Sequence, residues 1–329
     1  MNIIIPMAGR GTRLRPQTLV TPKPLIEFGG KTIIQRIVDL FSSFKKLHIE
    51  KLGFVIERKD DVAEDIISNI SRANGISFEI FYQGEPQGTA HAIYSARNML
   101  KGPTLIAFAD TVFESHRIFD IKSDGCLFVS EVTDPSSYGV VVTNTDGSIK
   151  RFVEKPNKPI SNLALVGVYY FKKGEILSRE IEIILKNNIL CKGEYQLTTA
   201  LENLRSKNFR FTTHKINNWL DFGTVQNLIN SHKKLLIDNS INHKEFKNTI
   251  IKEPCFIGPD VSIENSIIGP FVSIGSSTKI FSSVIDNSII QSDSVISDAK
   301  LSNSLIGKNV VYRPNSKEVN IGDYSTFKK

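Results

Sequence analysis

The residues best suited to chemistry lie in Met7 to Leu25, MAGRGTRLRPQTLVTPKPL, directly behind the apolar run Ile3-Ile4-Ile5. A Gly-rich loop at the carboxyl end of a buried strand lets backbone N–H groups approach a phosphate chain closely. Gly9, Gly11 and Thr12 supply that loop, Arg13 and Arg15 add forked cationic donors, and Lys23 adds a mobile point charge. A dinucleotide fingerprint would need another Gly three residues after Gly11, where Leu14 stands, and no Lys-Ser/Thr follows as in a P-loop. The loop therefore reads as a phosphate cradle of a different kind.

Further candidates are spread along the chain. Asp110 and Asp221 each close an apolar run, a position where an isolated Asp commonly caps a helix or forms a turn. Glu154-Lys155, behind Phe152-Val153, also reads as a plain surface pair. None of the six histidines falls in a metal-ligand or triad pattern; His91 reads as structural, and Trp219 as packing that holds Asp221. The three cysteines, odd in number and far apart, suit a reducing cytoplasm and argue against a disulfide framework or metal cluster. The net charge of +7 is spread over scattered pairs (Lys45-Lys46, Lys172-Lys173, Lys233-Lys234, Lys328-Lys329) that read as solvated surface. Without a basic block interleaved with aromatics, no nucleic-acid partner is expected. No run approaches the roughly 20 apolar residues of a membrane span, and the apolar first strand is no signal peptide, so a cytoplasmic protein without a membrane partner is expected.

The elements that must position these residues alternate in kind. Apolar, β-rich runs at Ile3–Ile5, Leu52–Ile56, Phe78–Tyr82 and Leu105–Phe108 are separated by helical patterns near Thr32–Phe44, Asp61–Ile70 and Thr89–Leu100. That alternation predicts βαβ units and a mostly parallel sheet covered on both faces; strands at Cys126–Val132, Val140–Thr143 and Val166–Phe171 extend it, with room for antiparallel additions. From Ile257 onward the pattern changes. An aliphatic residue recurs every five or six positions through Ile263, Ile268, Ile274, Ile280, Ile285, Ile290, Ile296, Leu301 and Ile306, with a late echo at Ile321-Gly322. This is the hexapeptide period of a β-helix, and about three coils are expected. The expected division is a catalytic domain over 1–238, a polar linker over 239–249 and a short left-handed parallel β-helix with its tail over 250–329.

The motif G-x-G-T-R-L-x-P followed by P-K-P-L resembles the signature of the sugar-1-phosphate nucleotidylyltransferase family, and the resemblance runs along the whole chain. Gln83-Gly84-Glu85-Pro86-Gln87-Gly88-Thr89-Ala90 looks like its base-recognition segment, Tyr138-Gly139-Val140-Val141 like its sugar-contacting turn, and Phe152–Pro156 like its sugar-binding Glu and phosphate-binding Lys. Lys192-Gly193-Glu194-Tyr195-Gln196-Leu197-Thr198 resembles a basic-Gly-Glu segment beside the same site, with Lys192 where relatives often have Arg. The family has Gly and Asn flanking its first metal-binding Asp; here Ala109 and Thr111 flank Asp110. Within the family the chain is most similar to bacterial glucose-1-phosphate thymidylyltransferases that carry a β-helix extension.

The resemblance implies a Rossmann-like α/β fold and transfer of a nucleotidyl group from a nucleoside triphosphate to a sugar-1-phosphate. It implies Arg13 and Lys23 on the triphosphate, Mg²⁺ held by Asp110 and Asp221, Gln83 and Gly88 at the base, and Gly139, Glu154, Lys155, Lys192 and Glu194 at the sugar phosphate. An amide suits a pyrimidine imide edge because it donates and accepts at once, which does not separate thymine from uracil. The resemblance to the thymidylyltransferase branch implies dTTP, with UTP behind it, and glucose-1-phosphate as the sugar. A mannose-1-phosphate guanylyltransferase or a non-catalytic regulatory paralogue would share most of these motifs. A β-helix acyltransferase would need a His, and residues 250–329 have none; a glycosyltransferase would need D-x-D, which Ala-Asp-Thr is not. The β-helix is expected to assemble a homo-oligomer and to take no part in catalysis.

Overall fold

The computed structural model describes residues 1–9, 11–44, 47–114, 119–158, 160–216, 218–238 and 245–314. Arg10, Lys45-Lys46, His116, His243, Ile321-Gly322, Lys328-Lys329 and much of the expected linker lie outside these residues. The chain divides into two compact units: Met1–Gly9 with Ile34–Trp219, and Arg10–Ile33 with Leu220–Lys329.

The first unit is built on a nine-stranded sheet. Its strands are β1 (Asn2–Pro6), β2 (Lys51–Ile56), β3 (Ser77–Tyr82), β4 (Thr104–Ala107), β5 (Gly125–Glu131), β6 (Gly139–Thr143), β7 (Ile149–Glu154), β8 (Leu163–Phe171) and β9 (Phe211–Lys215). The order along one path is β7-β6-β8-β4-β1-β2-β3, with β5 pairing both β8 and β9. Strands β4, β1, β2 and β3 are parallel, as the alternating pattern predicts. The antiparallel additions enter through β8, which runs against β4, β5 and β6.

Helices α1 (Ile33–Ser43), α2 (Asp61–Ala73), α3 (Thr89–Ser95), α4 (Gly174–Lys186) and α5 (Leu197–Ser206) accompany the sheet. Helix α1 buries Ile34, Ile37, Val38 and Phe41, the stripe its periodicity requires. The helical pattern read through to Leu100 breaks at Ala96, beyond which Arg97–Met99 forms a separate 3₁₀ turn. Ala90, Ile93, Leu127, Val141, Leu177, Ile181 and Leu201 meet in one core that joins α3, α4 and α5 to the sheet.

The second unit joins the signature segment, helix α6 (Val225–Asp238) and the β-helix. Among the described residues the β-helix has three faces of four parallel strands each, one rung more than the aliphatic spacing suggested. The additional rung comes from Ile250–Ile251 before the counted run and Val311–Tyr312 after it. Register pairs Ile250 with Ile267, Ile267 with Val284 and Val284 with Lys300, and the other two faces repeat the arrangement. Ile263, Ile268, Ile274, Ile280, Ile285, Ile290 and Ile296 fill the interior. The corners are turned by residues in the left-handed region, among them Asn248, Asn265, Asn287 and Asn303, a conformation that Asn tolerates because its short side chain bonds locally. Asn248 Nδ2 donates to Asn265 Oδ1 at 3.1 Å, and Asn287 donates to Asn303 in the same way.

Candidate active site

The signature segment is a series of tight turns. Gly11 has φ +56, and a Cβ there would lie 3.1 Å from the Thr18 side chain and 3.2 Å from Lys23 Cβ, so both backbone angle and space require glycine. Thr18 Oγ1 donates to the Gly11 carbonyl at 2.7 Å and closes the loop. Within it Thr12–Leu14 forms one 3₁₀ turn, in which Leu14 is buried as the anchor and Thr12 and Arg13 face solvent. Lys23–Leu25 forms another, with Pro24 and Leu25 buried and Lys23 half-buried. Gly9, which ends the stretch of the first unit behind β1, is exposed with open space where a Cβ would be.

The segment continues into a hairpin of Glu27–Phe28 and Lys31–Thr32 around Gly29-Gly30, both at positive φ as a two-residue turn demands. This hairpin docks on the β-helix face built from Cys255–Ile257, Val272–Ile274, Ser288–Ile290 and Leu305–Ile306. The buried Gln291 amide accepts from the Glu27 N–H at 3.2 Å and donates back to the Glu27 carbonyl. Gly29 N–H donates to Ser273 Oγ at 3.0 Å, and Gln17 Nε2 donates to the Leu305 carbonyl at 2.9 Å. A Cβ on Gly30 would lie 2.6 Å from the Phe256 ring. Phe28 packs against Phe222 and His232, and the His232 ring bonds Ser273 at 2.7 Å. The β-helix thus braces the strand pair that continues the Gly-rich signature segment, a task the repeat pattern did not suggest.

Asp221 ends the strand Asn218–Asp221. Gly223 N–H donates to one carboxylate oxygen at 2.7 Å and Asn227 Nδ2 to the other at 2.6 Å, while Ser231 bonds its carbonyl. Thr224 caps α6 by accepting from the Asn227 N–H, which holds Asn227 in place. The grip on Asp221 expected from Trp219 is therefore supplied by Gly223 and Asn227, and the indole packs edge-on against Tyr138 at 5.1 Å. A hydrogen-bonded carboxylate of this kind, acceptor-only when ionised, fits a hard, oxygen-seeking dication such as Mg²⁺.

In the first unit the candidate residues gather at strand ends. The sheet order places β4 and β2 on opposite sides of β1, so the chain switches direction there, and such points open a crevice beyond the carboxyl ends of the strands. Gly9 follows β1, and Asp110 follows β4 in a turn pinned by Phe108 N–H to Gly167 and Ala109 N–H to Pro6. Thr111 Oγ1 lies 3.4 Å from an Asp110 oxygen. Buried Tyr169, on β8, carries a phenol pushed up by burial and then by the Glu154 and Asp110 charges.

Gln83 follows β3, nearly buried, with its amide nitrogen 3.1 Å from His91 Nδ1. Gly88 has φ +119, and a Cβ would meet the Tyr195 carbonyl at 2.5 Å. That close approach stitches the Gln83–Ala90 segment to Lys192–Leu197: Tyr195 N–H donates to Gln87 and Ala90 N–H to Tyr195, each at 2.9 Å. Thr89 Oγ1 donates to Gln196 Oε1, and Gln196 Nε2 in turn donates to Glu194 at 2.7 Å. Lys192 Nζ reaches the Lys155 carbonyl at 2.8 Å. Glu154 accepts from Thr198 Oγ1 at 3.0 Å in space left by Gly139, where a Cβ would lie 3.1 Å from the carboxylate.

Gly88, Gly139, Glu154, Lys155, Lys192 and Glu194 therefore form one connected patch, while Gly11, Thr12, Arg13, Lys23 and Asp221 belong to the second unit. Tyr169 and Asn227 were not singled out from the sequence, and Thr89, Gln196 and Thr198 entered only as members of the quoted segments, without a role of their own. The Gln-Leu-Thr run behind Glu194 was the available signal, since its polar residues interrupt the start of an amphipathic helix.

The chain is similar to several known proteins. It is 31% identical over 255 residues to a protein named bifunctional protein GlmU from Methanocaldococcus jannaschii; the match covers 77% of this chain and 59% of that protein's length. It is 26% identical to glucose-1-phosphate thymidylyltransferase of Streptomyces antibioticus, over 99% of this chain and 98% of the relative. A crystal structure of UDP-glucose pyrophosphorylase complexed with UDP-glucose superposes with a TM-score of 0.59 at 24% identity, over 72% of this chain and 99% of that one, a likeness of fold. The nucleotidyl transferase family model matches residues 2–237, a span that takes in every candidate residue described above, and the chain belongs to that family.

Proposed function

We propose that the chain is a sugar-1-phosphate nucleotidylyltransferase, with dTTP and glucose-1-phosphate as the leading substrates and UTP as the second nucleotide. The observation that carries this reading is the stitching of residues 87–90 to 195–197. It sets the segment assigned to the base beside the segment assigned to the sugar phosphate, so one patch offers both an amide and two carboxylate–lysine pairs.

The reaction asks for little covalent help. An oxygen of the sugar phosphate, already anionic, displaces pyrophosphate from the α-phosphorus, and catalysis is positioning and charge neutralisation. Arg13 is assigned to the leaving phosphates and Lys23 to the α-phosphate region, with Gly9, Gly11 and Thr12 supplying the loop. Lys155, supported by Lys192 on its own carbonyl, holds the incoming phosphate, and Glu154 and Glu194 accept from sugar hydroxyls. Asp110 and Asp221 are each assigned as oxygen donors to Mg²⁺, which when bound neutralises charge on phosphate oxygens. No general base is needed.

The test is pyrophosphate release over a panel of nucleoside triphosphates and hexose-1-phosphates. Turnover that requires both substrates and Mg²⁺ is expected. Preference for GTP with mannose-1-phosphate would replace the substrate assignment, and no turnover in folded protein would favour a regulatory paralogue.

The proposed macromolecular partner is a second copy of the chain. Ile250 and Val284, 57% and 41% exposed, point outward in register with Ile267 on one β-helix face, an aliphatic stripe suited to self-association. Deleting 246–329 should lower the mass in solution. It should also lower turnover, because the same cut removes the brace behind the phosphate loop.

A further inference from the structure

Gln83 has a side-chain amide with a defined sense. Its Nε2 lies 3.1 Å from His91 Nδ1 and 3.4 Å from the Gly88 carbonyl oxygen. A backbone carbonyl only accepts, so the NH₂ end must be the one that faces it. The second hydrogen of that NH₂ then points at His91 Nδ1, which must carry a lone pair, leaving the ring proton on Nε2. Burial pushes the His91 ring down, toward the neutral form this arrangement needs. With both amide hydrogens engaged inside the protein, Oε1 is the end left to meet a ligand.

We propose that His91 sets the class of base, by holding Gln83 as a hydrogen-bond acceptor so that the site takes bases with an imide or lactam N–H. This rests on the reading of the chain as a nucleotidylyltransferase with Gln83 at its base edge. Thymine, uracil and guanine present such an N–H. Cytosine and adenine present a bare ring nitrogen at the corresponding position, which would set one lone pair against another. Gln83 is only 9% exposed, so water cannot relax that mismatch. A nearly buried group left facing the wrong partner discriminates by about 100-fold or more. Without His91 the amide keeps only the long 3.4 Å bond to the Gly88 carbonyl, so it turns its NH₂ outward more readily and the preference is weakened. His91 is thus a positioning residue that acts through Gln83.

The experiment compares kcat/KM for dTTP, UTP, GTP, CTP and ATP, with glucose-1-phosphate, in the wild type and in His91→Leu, His91→Ala and His91→Asn. Leucine and alanine remove the acceptor, and alanine, the best helix former, is the second variant should leucine not fold in α3. Asparagine offers Oδ1 close to the place of Nδ1. The wild type is expected to favour dTTP, UTP or GTP over CTP and ATP. Either acceptor-less variant should lower that ratio at least about tenfold, chiefly through KM, and His91→Asn should restore it to within about threefold, the size of one hydrogen bond. A ratio unchanged in a folded acceptor-less variant, or a wild type that prefers CTP or ATP, would overturn the role of His91 and leave the enzyme class standing. A wild type that turns over none of the five triphosphates with any hexose-1-phosphate of the panel would instead overturn the functional reading, and this proposal with it.

Discussion

Replacing Gln291 with leucine tests the brace between the β-helix and the phosphate loop. The amide makes two bonds to Glu27, accepting from its N–H and donating to its carbonyl, and leucine fills similar space without either. Each such bond nets about 1 kcal/mol, and a backbone group left without a partner costs about 1–3 kcal/mol. Glu27 is half-buried, so water restores part of the loss, and about 2 kcal/mol in all is a fair expectation, roughly 30-fold in the docking equilibrium of the hairpin. The other anchors remain: Ser273 on Gly29, Gln17 on Leu305, and Phe28 between Phe222 and His232. The loosening should therefore be local. Hydrogen exchange should show amides of residues 27–32 losing protection by roughly 30-fold, while those of Val272–Ile274 are unchanged. Turnover should show a higher KM for the triphosphate, and Gln291→Glu, which still accepts from the Glu27 N–H, should lie between wild type and leucine. Unaltered exchange in the hairpin would refute the bracing role, whatever happened to activity.

Asp110→Asn and Asp221→Asn keep shape but remove charge, and each should lower turnover by about 100-fold or more with little change in melting temperature; near-normal turnover at limiting Mg²⁺ would remove that residue from the metal site. Gly88→Ala forces a Cβ toward the Tyr195 carbonyl at positive φ and should cost about 1–3 kcal/mol in chemical denaturation, a loss that unchanged stability would contradict. His91 is held below its ordinary pKa, so the unfolded chain takes up the proton first as pH falls. Its contribution is complete above about pH 6.5 and declines as pH drops through the folded value. Melting temperature followed against pH should lose this slope in His91→Leu, and an identical slope in both proteins would assign the effect elsewhere.

Local pattern was enough to find the tight Gly-rich turns behind the first strand, the aspartates at strand ends and the coil of the β-helix. Gly11 stands in a local tight turn whose positive φ and close Thr18 favour glycine, and the recurring aliphatics reveal a coil because their spacing is a property of neighbouring residues. The antiparallel strands around β8, the extra rung and the break at Ala96 depended on partners, which spacing does not name. The same is true of the groups that orient the site. Thr198 on Glu154, Tyr195 against Gly88, and Gln291 on Glu27 join residues far apart in sequence, and nothing local distinguishes those side chains from others of their type. The tertiary structure also decided that Arg10–Ile33 shares a compact unit with the β-helix, although most of the chain lies between them. Long-range pairs of this kind must offset the entropy of closing large loops, and they form only where burial and matched donors and acceptors reward the closure together.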